Sequence, residues 1–218
     1  METQNNKQAN GKNHFTPDRI NNFTDAIFSI AITLLILDIK VPSAELIDQK
    51  GAVGALLSNQ SAGIIGLIVS FYVSALFWKA HLDLAKFITS YDSRLLWLNI
   101  QLLFFVVIMP FSTSFYSRNF GYNSAFYFYC FNVACIGFMN YLMISYTITK
   151  ENLYSLFPKP EIIWMKQRSL IVPSVFLLSI LFSLFSPLLG RIAFVLIFIF
   201  QSIGDRMVNK SLKKGMEP

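Results

Sequence analysis

Charged residues are scarce in this 218-residue chain, making up 14 % of it against about 25 % in soluble globular domains. Hydrophobic residues make up 54 % and the mean hydropathy is +0.51. The composition therefore excludes an ordinary soluble domain, because the apolar surplus needs lipid around it. Only eight prolines and ten glycines stand beside 22 phenylalanines, which excludes a disordered or collagen-like chain. One compact domain in a bilayer is predicted.

The motifs of intramembrane and metal-dependent hydrolases are also absent. Neither HExxH nor GxGD occurs, and the two ionisable side chains expected near membrane depth are Asp25 and His81. Hydrolysis needs paired aspartates, a metal-binding cluster or a nucleophile beside a base. Cys130 and Cys135 lie in an uncharged stretch and predict small apolar side chains, not a disulfide or a metal site. The chain is predicted to be no enzyme and to need no cofactor.

Six apolar stretches follow a polar start. Residues 1–16 are rich in Asn, Gln and Lys, which predicts a flexible tail without a signal peptide or targeting helix. The six uncharged or nearly uncharged stretches are 26–37, 51–78, 95–117, 119–149, 169–190 and 192–204. Since a bilayer core takes about 20 helical residues, they predict an all-α domain of six transmembrane helices over 17–206. A basic tail is expected over 207–218.

Lys and Arg residues fall unevenly on the two sides of this arrangement. Fourteen of the 18 lie on one side, and the remaining four are Lys40, Lys50, Arg118 and Arg191. Because cytoplasmic loops carry the excess of Lys and Arg, both termini are predicted to be cytoplasmic. The basic residues flank apolar runs and form no single stripe, which excludes nucleic acid as a partner and favours the cell membrane as the location.

The first span carries hydroxyl groups among branched apolar residues. After Asp25 it reads AIFSIAITLLILDI. At 100° per residue, its stripe of Ile30, Thr33, Leu34 and Leu37 falls within an arc of roughly 100°. Asp25 points about 130° away from the centre of that stripe. On the residues alone, such a stripe is typical of a contact between helices in a membrane.

The start of this span carries a recognisable motif. Arg19-x-x-x-Phe23-Thr24-Asp25 resembles the RxxxFSD signature that opens the first transmembrane helix of the transmembrane protein 175 family of endolysosomal potassium channels, in its single-repeat prokaryotic form. Thr24 replaces the usual serine and keeps the hydroxyl. The resemblance continues through AIFSIAITLLILDI, Trp78-x-x-His81, Trp97-Leu-Asn99 and Pro110-Phe-Ser-Thr113.

This resemblance implies a homotetrameric, potassium-permeable cation channel of a prokaryotic plasma membrane, with the first helices lining a central pore and K⁺ as the permeant ion. It implies a hydrophobic constriction at Ile30, Leu34 and Leu37, and a selectivity ring at Thr33. A hydroxyl bonded back to its own helix is the alternative for Thr33. Both the family and this sequence lack TVGYG. Hydroxyls are weaker dipoles than stacked carbonyls, so a modest preference for K⁺ over Na⁺ is expected.

The other motif residues are expected to hold the first helix against its neighbours. Asp25 is expected to accept hydrogen bonds from His81, Trp78 or Asn99, because a buried carboxylate without a partner is costly. Arg19 is expected at the cytoplasmic mouth, paired with an acid or in water.

Two other classes of function stay open. A secondary transporter needs a substrate cavity near mid-membrane, although this chain lacks the repeated Gly- and Pro-interrupted spans of many transporters. A non-conducting structural or lipid-handling protein would use its aromatic side chains as an interfacial belt. Flux separates the three classes, since a transporter saturates and a structural protein carries no current.

Overall fold

The computed structural model describes residues 16–193 and 195–214. Its elements are α1 (Pro17–Leu34), a 3₁₀ turn (Leu35–Asp38), α2 (Ala44–Ala85), α3 (Ser93–Arg118), α4 (Asn123–Lys150), α5 (Leu153–Leu156), α6 (Lys159–Phe185), α7 (Pro187–Ile192) and α8 (Val195–Lys214). Five helical segments are long and apolar enough to cross a membrane: Pro17–Asp38, Gln60–Ala85, Ser93–Arg118, Asn123–Lys150 and Lys159–Phe185. The predicted all-α membrane fold is confirmed, and the sixth span stays a prediction.

The structure describes the predicted end segments and the predicted sixth span only in part. Residues 1–15 of the expected polar tail and 215–218 of the expected basic tail lie outside the described residues. The sixth span corresponds to α8, whose apolar part, Val195–Gly204, is shorter than the other five. Because α8 continues to Lys214, the expected boundary at 206 falls inside a helix.

Helix α6 begins earlier than the uncharged stretch that predicts it. The stretch starts at Ser169, whereas the helix starts at Lys159, with Pro160 in its first turn. Proline suits that position because it lacks an N–H that would have no partner there. Glu161 and Arg168 continue the helix before its apolar part. The uncharged stretch therefore marks the part of the helix suited to lipid and not the full helix.

Helices α3, α4 and α6 form the centre of the bundle. Their buried side chains include Leu102, Val106, Met109, Val133, Ile136, Met143, Val172 and Phe176. Close packing holds helices together in a membrane, where burial from water contributes little. At Gly137 on α4, an added Cβ would lie 2.6 Å from Pro173 Cδ on α6. The glycine thus allows α4 and α6 to approach each other.

Helix α1 packs on one side only, against α2 and α3. It starts at Pro17 after an extended Thr16, and Asp18 in its first turn complements the positive end of the helix dipole. Its buried face consists of Thr24, Phe28 and Ala31, continued by Leu35 in the 3₁₀ turn. Within the described part of the chain, no helix covers the opposite face of α1.

A backbone break divides α2 near its start. Gly51 has φ of 70° and ψ of 162°, a left-handed backbone conformation that residues with a side chain rarely adopt. An added Cβ there would meet nothing within 4 Å, so the requirement for glycine is conformational. The break separates a short segment, 44–50, from the long helix that crosses the membrane.

Candidate ion-conduction site

The predicted pore residues lie together on the open face of α1. Ile30 is 55 % exposed, Leu34 44 % and Leu37 73 %, and Thr33 is exposed between them. The buried face of the same helix carries Thr24 at 0 % and Phe28 at 1 % exposure. The apolar residues of α1 are therefore divided between a face buried within this chain and an exposed face.

The open face is longer than the sequence stripe. Its exposed residues recur with spacings of four and three: Arg19, Phe23, Ala26, Ile30, Thr33 and Leu37. That heptad spacing is typical of a helix that packs along a seam with other helices. Phe23 is 59 % exposed, and Arg19 makes no ion pair with any described residue. The spacing is readable in the sequence, and it places the motif's Arg19 and Phe23 on the same face as the predicted constriction.

The geometry at Leu37 departs from the helical projection. The projection assumes α-helical steps through Leu37, but the chain tightens into a 3₁₀ turn after Leu34. Side chains three residues apart eclipse each other in a 3₁₀ turn. Leu37 therefore lies above Leu34 along the axis of the turn. Regular α-helical steps would instead rotate the two side chains about 60° apart around the axis.

The hydroxyl groups of the open face are bonded back to their own helix. Ser29 Oγ donates to the Asp25 carbonyl at 2.8 Å. Thr33 Oγ1 lies 3.0 Å from the Ser29 carbonyl oxygen and 2.9 Å from that of Ile30. Because each hydroxyl proton points at a helix carbonyl, the lone pairs of the oxygen remain available as acceptors. The back-bonded geometry is thus compatible with contact to a cation.

The buried side of α1 is tied to two neighbouring helices by motif residues. Trp78 Nε1 on α2 donates to Asp25 Oδ1 at 2.9 Å. Asn99 Nδ2 on α3 donates to Thr24 Oγ1 at 2.9 Å, with both side chains buried. Of the three donors expected for Asp25, the structure brings Trp78 to it and gives Asn99 to Thr24.

His81 does not bond to Asp25. Its side chain is fully buried, and neither ring nitrogen has a hydrogen-bond partner among the described residues. Its ring centroid lies 6.5 Å from that of Phe28, on the buried face of α1. The imidazole of His81 therefore packs against the buried face of α1, and its two nitrogens form no hydrogen bond with a described residue.

A second anchor, absent from the sequence-based expectations, holds the C-terminal end of α1. Asp38 accepts hydrogen bonds from Ser114 Oγ at 2.6 Å, Ser117 Oγ at 2.7 Å and Arg118 Nε at 2.7 Å. These three donors lie on one face of α3, at spacings of three and one. A Ser-x-x-Ser-Arg pattern at a helix end is the available sequence signal, but nothing in it indicates that Asp38 lies opposite.

The chain beyond Asp38 is also fixed. The Lys40 N–H donates to Gln60 Oε1 at 2.6 Å, and Gln60 Nε2 donates to the Lys40 carbonyl. The amide of Gln60 therefore satisfies both backbone groups of Lys40. Together with Asp38, this contact fixes the extended connection between α1 and α2.

Contacts at the predicted cytoplasmic end link the α2–α3 loop to α1 and α4. The buried Tyr91 hydroxyl donates to Asn21 Oδ1 at 3.0 Å, and burial raises the pKa of Tyr91. Asp92 accepts from the Leu95 N–H at 2.9 Å and from the Tyr146 hydroxyl. Burial alone would raise the pKa of Asp92, but these hydrogen bonds together with the positive charge of Lys150 outweigh it and the pKa is lowered.

Residues 19–110 match the model of the family described as endosomal/lysosomal potassium channel TMEM175. The predicted resemblance to TMEM175 channels is confirmed. The matched range contains the Arg19 to Asp25 motif and both anchoring donors, Trp78 and Asn99.

Three curated bacterial relatives, each named as a potassium channel and none as an enzyme, match the chain. The protein of Streptomyces collinus is 38 % identical over 96 residues, 44 % of this chain and 45 % of that protein. The protein of Chamaesiphon minutus is 34 % identical over 96 residues, 44 % of this chain and 47 % of its own. These two matches span about half of each relative. The Chryseobacterium protein is 27 % identical over 207 residues, 92 % of this chain and 100 % of its own.

A solved structure extends the comparison to the fold. The crystal structure of a lysosomal potassium-selective channel TMEM175 homolog from Chamaesiphon minutus superposes with a TM-score of 0.72 at 24 % identity. The match covers 86 % of this chain and 97 % of that chain. The chain therefore has the fold of a TMEM175 channel.

Proposed function

We propose that this chain is one subunit of a potassium-permeable cation channel of the cell membrane. The observation that carries the proposal is the open face of α1, where Ile30, Thr33, Leu34 and Leu37 are exposed although the helix is anchored from behind. The relatives named as potassium channels support the choice of ion.

Several copies of α1 are needed to enclose an ion path, and we take the number to be four. The heptad spacing of the open face suits packing around an axis. The face also carries Asn22, Ser29 and Thr33, which are exposed. Polar groups of membrane helices normally face a bundle interior or water and not lipid. A homotetramer with α1 at its centre satisfies both features.

In this assembly Ile30 forms the hydrophobic gate, continued by Leu34 and Leu37. Alkyl side chains cannot replace the hydration shell of a cation. A narrow ring of Ile30 therefore expels water and blocks ions, whereas a wider ring passes ions that keep much of their water. Small displacements of α1 are then enough to switch conduction.

Thr33 forms the ring of acceptors next to this gate. Its proton is directed to the carbonyls of Ser29 and Ile30, so its lone pairs are the groups presented to a cation. Such a ring is a weaker ligand than the stacked carbonyls of a TVGYG filter. The preference for K⁺ over Na⁺ is accordingly modest, and no cofactor takes part.

The anchors set how far α1 can move. Trp78 and Asn99 hold its inner half through Asp25 and Thr24, and Asp38 holds its outer end. The gate at Ile30 lies between these attachments. We therefore assign Thr24 and Asp25 a positioning role and not a place in the ion path. The other two motif residues, Arg19 and Phe23, lie at the cytoplasmic mouth of the path.

The topology completes the proposal. With α8 as a sixth span, both termini are cytoplasmic, Arg118 is external and Lys86 is cytoplasmic, in agreement with the uneven distribution of Lys and Arg. An odd number of spans would place the two termini on opposite sides.

The test is a flux assay with purified protein in liposomes that contain a K⁺ gradient and a proton carrier. Wild-type protein is expected to dissipate the gradient. Its flux rate is expected not to saturate as the K⁺ concentration rises, whereas the rate of a transporter does saturate. Empty liposomes set the background. Flux equal to that background contradicts the proposal and favours a structural protein, whereas slow, saturating flux favours a transporter.

A further inference from the structure

A cavity of about 360 Å³ lies between α2, α4, α6 and α8, away from the α1 face. Its inner wall is apolar and includes Leu76, Phe77, Ile144 and Val172. Its mouth carries Asp83, Lys86, Glu161 and Arg168. The volume and the mainly apolar lining with a few polar groups are those of ligand-binding sites.

Asn140 supplies an unused acceptor inside this cavity. The side chain is 1 % exposed, and its Oδ1 has no hydrogen-bond partner among the described residues. A buried amide oxygen without a donor is costly, so a ligand that brings an N–H or O–H group to it gains affinity.

Arg168 supplies a cation close to that acceptor. The guanidinium is half-buried and forms no ion pair with described residues. Gly137 packs on Pro173, and Lys166 lies 5.5 Å from the Tyr141 ring centroid. Because these contacts align antiparallel α4 and α6, Asn140 lies level with the turn of α6 that contains Arg168.

The charges around the mouth leave room for an anion. Asp83 is paired with Lys86 at 2.8 Å and with Lys79 at 3.6 Å. Glu161 lines the mouth as well, but it is exposed to solvent. Two basic side chains, Lys86 and Arg168, and two carboxylates line the mouth, and Lys79 outside the lining adds a third positive charge beside Asp83. Arg168 also acts electrostatically on Asp83 but forms no salt bridge with it. Its guanidinium therefore still offers the planar donor pair that phosphate prefers.

An apolar groove leads away from this cavity towards the middle of the membrane. The groove has a volume of about 310 Å³, shares Leu76 with the cavity, and runs along α2 past Val73, Val69 and Ile65, with Ile197 of α8 on its other wall. A chamber with charged side chains at its mouth, at the end of the spans, that opens into an apolar groove has the shape of a phospholipid site.

We propose that this chamber and groove bind an anionic phospholipid of the cytoplasmic leaflet that has a hydroxyl-bearing headgroup, the phosphatidylglycerol class. The phosphate contacts Arg168, a headgroup hydroxyl donates to Asn140 Oδ1, and one acyl chain lies along α2. This site is distinct from the α1 face, and its occupancy does not require ion conduction.

The test measures lipid retention by native mass spectrometry of the purified protein with phosphatidylglycerol, phosphatidylmethanol or phosphatidylcholine of identical chains. One phosphatidylglycerol per subunit is expected to be retained in preference to phosphatidylcholine. Arg168→Gln is expected to weaken its binding on the order of tenfold, the effect of one charge-assisted hydrogen bond. Lys166→Gln, a neighbouring cation that does not line the cavity, is the matched control and leaves binding unchanged.

The headgroup hydroxyl is tested by phosphatidylmethanol, which keeps the phosphate and lacks the hydroxyls. Wild-type protein is expected to prefer phosphatidylglycerol about fivefold, and Asn140→Ala is expected to abolish that preference. Glycerol 3-phosphate at millimolar concentration is expected not to displace the lipid, because it has no acyl chain.

Several outcomes would overturn the proposal. They are equal retention of phosphatidylglycerol and phosphatidylcholine, equal binding by Arg168→Gln and Lys166→Gln, or displacement by glycerol 3-phosphate, which indicates a site for soluble anions. If Arg168→Gln does not fold, the comparison of lipids on wild-type protein decides. Binding is measured without flux, so a negative binding result does not contradict the channel proposal. Absence of flux in liposomes, in turn, does not contradict the lipid site.

Discussion

The indole of Trp78 donates a 2.9 Å hydrogen bond to Asp25 Oδ1, joining α2 to the back of α1. The same attachment leaves the front of α1 uncovered, with Ile30 at 55 % exposure. A helix held from behind and open in front is what a subunit needs if its partners complete the structure around a shared axis.

Removing the indole donor is expected to weaken the attachment of α1. Trp78→Phe leaves Asp25 without its donor and is expected to cost about 1 kcal/mol, a small figure because Trp78 is partly exposed. Thermal unfolding of the purified protein measures the loss. Trp97→Phe is the matched control, since Trp97 is 62 % exposed, and equal destabilisation by both variants argues against the tether.

A polar residue at the gate is expected to raise ion flux. Ile30→Asn allows water to stay in the constriction, so leak or conductance increases. Leu181 on α6 is the matched control, because it is 53 % exposed against 55 % for Ile30. Current recordings in planar bilayers compare the two variants. If Leu181→Asn changes the current as much as Ile30→Asn, the gate does not lie at Ile30.

Loss of the Thr33 hydroxyl is expected to reduce selectivity. Thr33→Val keeps the shape of the side chain and removes the acceptor, so the permeability ratio of K⁺ to Na⁺ moves towards one. Thr33→Ser keeps the hydroxyl and serves as the control. The reversal potential under bi-ionic conditions reports the ratio, and an unchanged potential in Thr33→Val places selectivity elsewhere.

The α2–α3 loop is expected to show an acid-sensitive contact. Because the folded pKa of Asp92 is lowered, its contribution to stability is complete above the unfolded pKa of about 3.9 and is lost as the pH falls through the lower folded value. Tyr146→Phe removes one donor, so it lowers the melting temperature at pH 6 more than near pH 3. Tyr154→Phe, at an exposed tyrosine, is the control. A difference in melting temperature between Tyr146→Phe and wild-type protein that does not change with pH contradicts the assignment.

The membrane fold could be predicted because its signals are local. Uncharged stretches report which segments suit lipid, and they locate the five long spans. They do not report helix ends, since the charged residues at Glu161 and Arg168 are compatible with a helix. Helix α6 therefore starts at Lys159, before the predicted stretch.

The candidate site could be predicted only as far as helical periodicity and family resemblance extend. Periodicity places Ile30 and Thr33 on one face. The tightening of the chain at Leu37 depends on tertiary contacts, because Asp38 is bound by donors from Ser114 to Arg118 that are 76 to 80 residues away. No local pattern indicates that pairing, and none indicates that Asn99 bonds to Thr24 rather than Asp25.

The central claim is that the open faces of α1 from several subunits together surround a water-filled path. It is tested most directly by Thr33→Cys in a background with Cys130→Ala and Cys135→Ala, recorded in bilayers during exposure to a charged, membrane-impermeant thiol reagent. Irreversible loss of current is expected at Thr33→Cys, and no loss is expected at Leu181→Cys. Undiminished current at Thr33→Cys, with block from a cysteine on another helix, would contradict it.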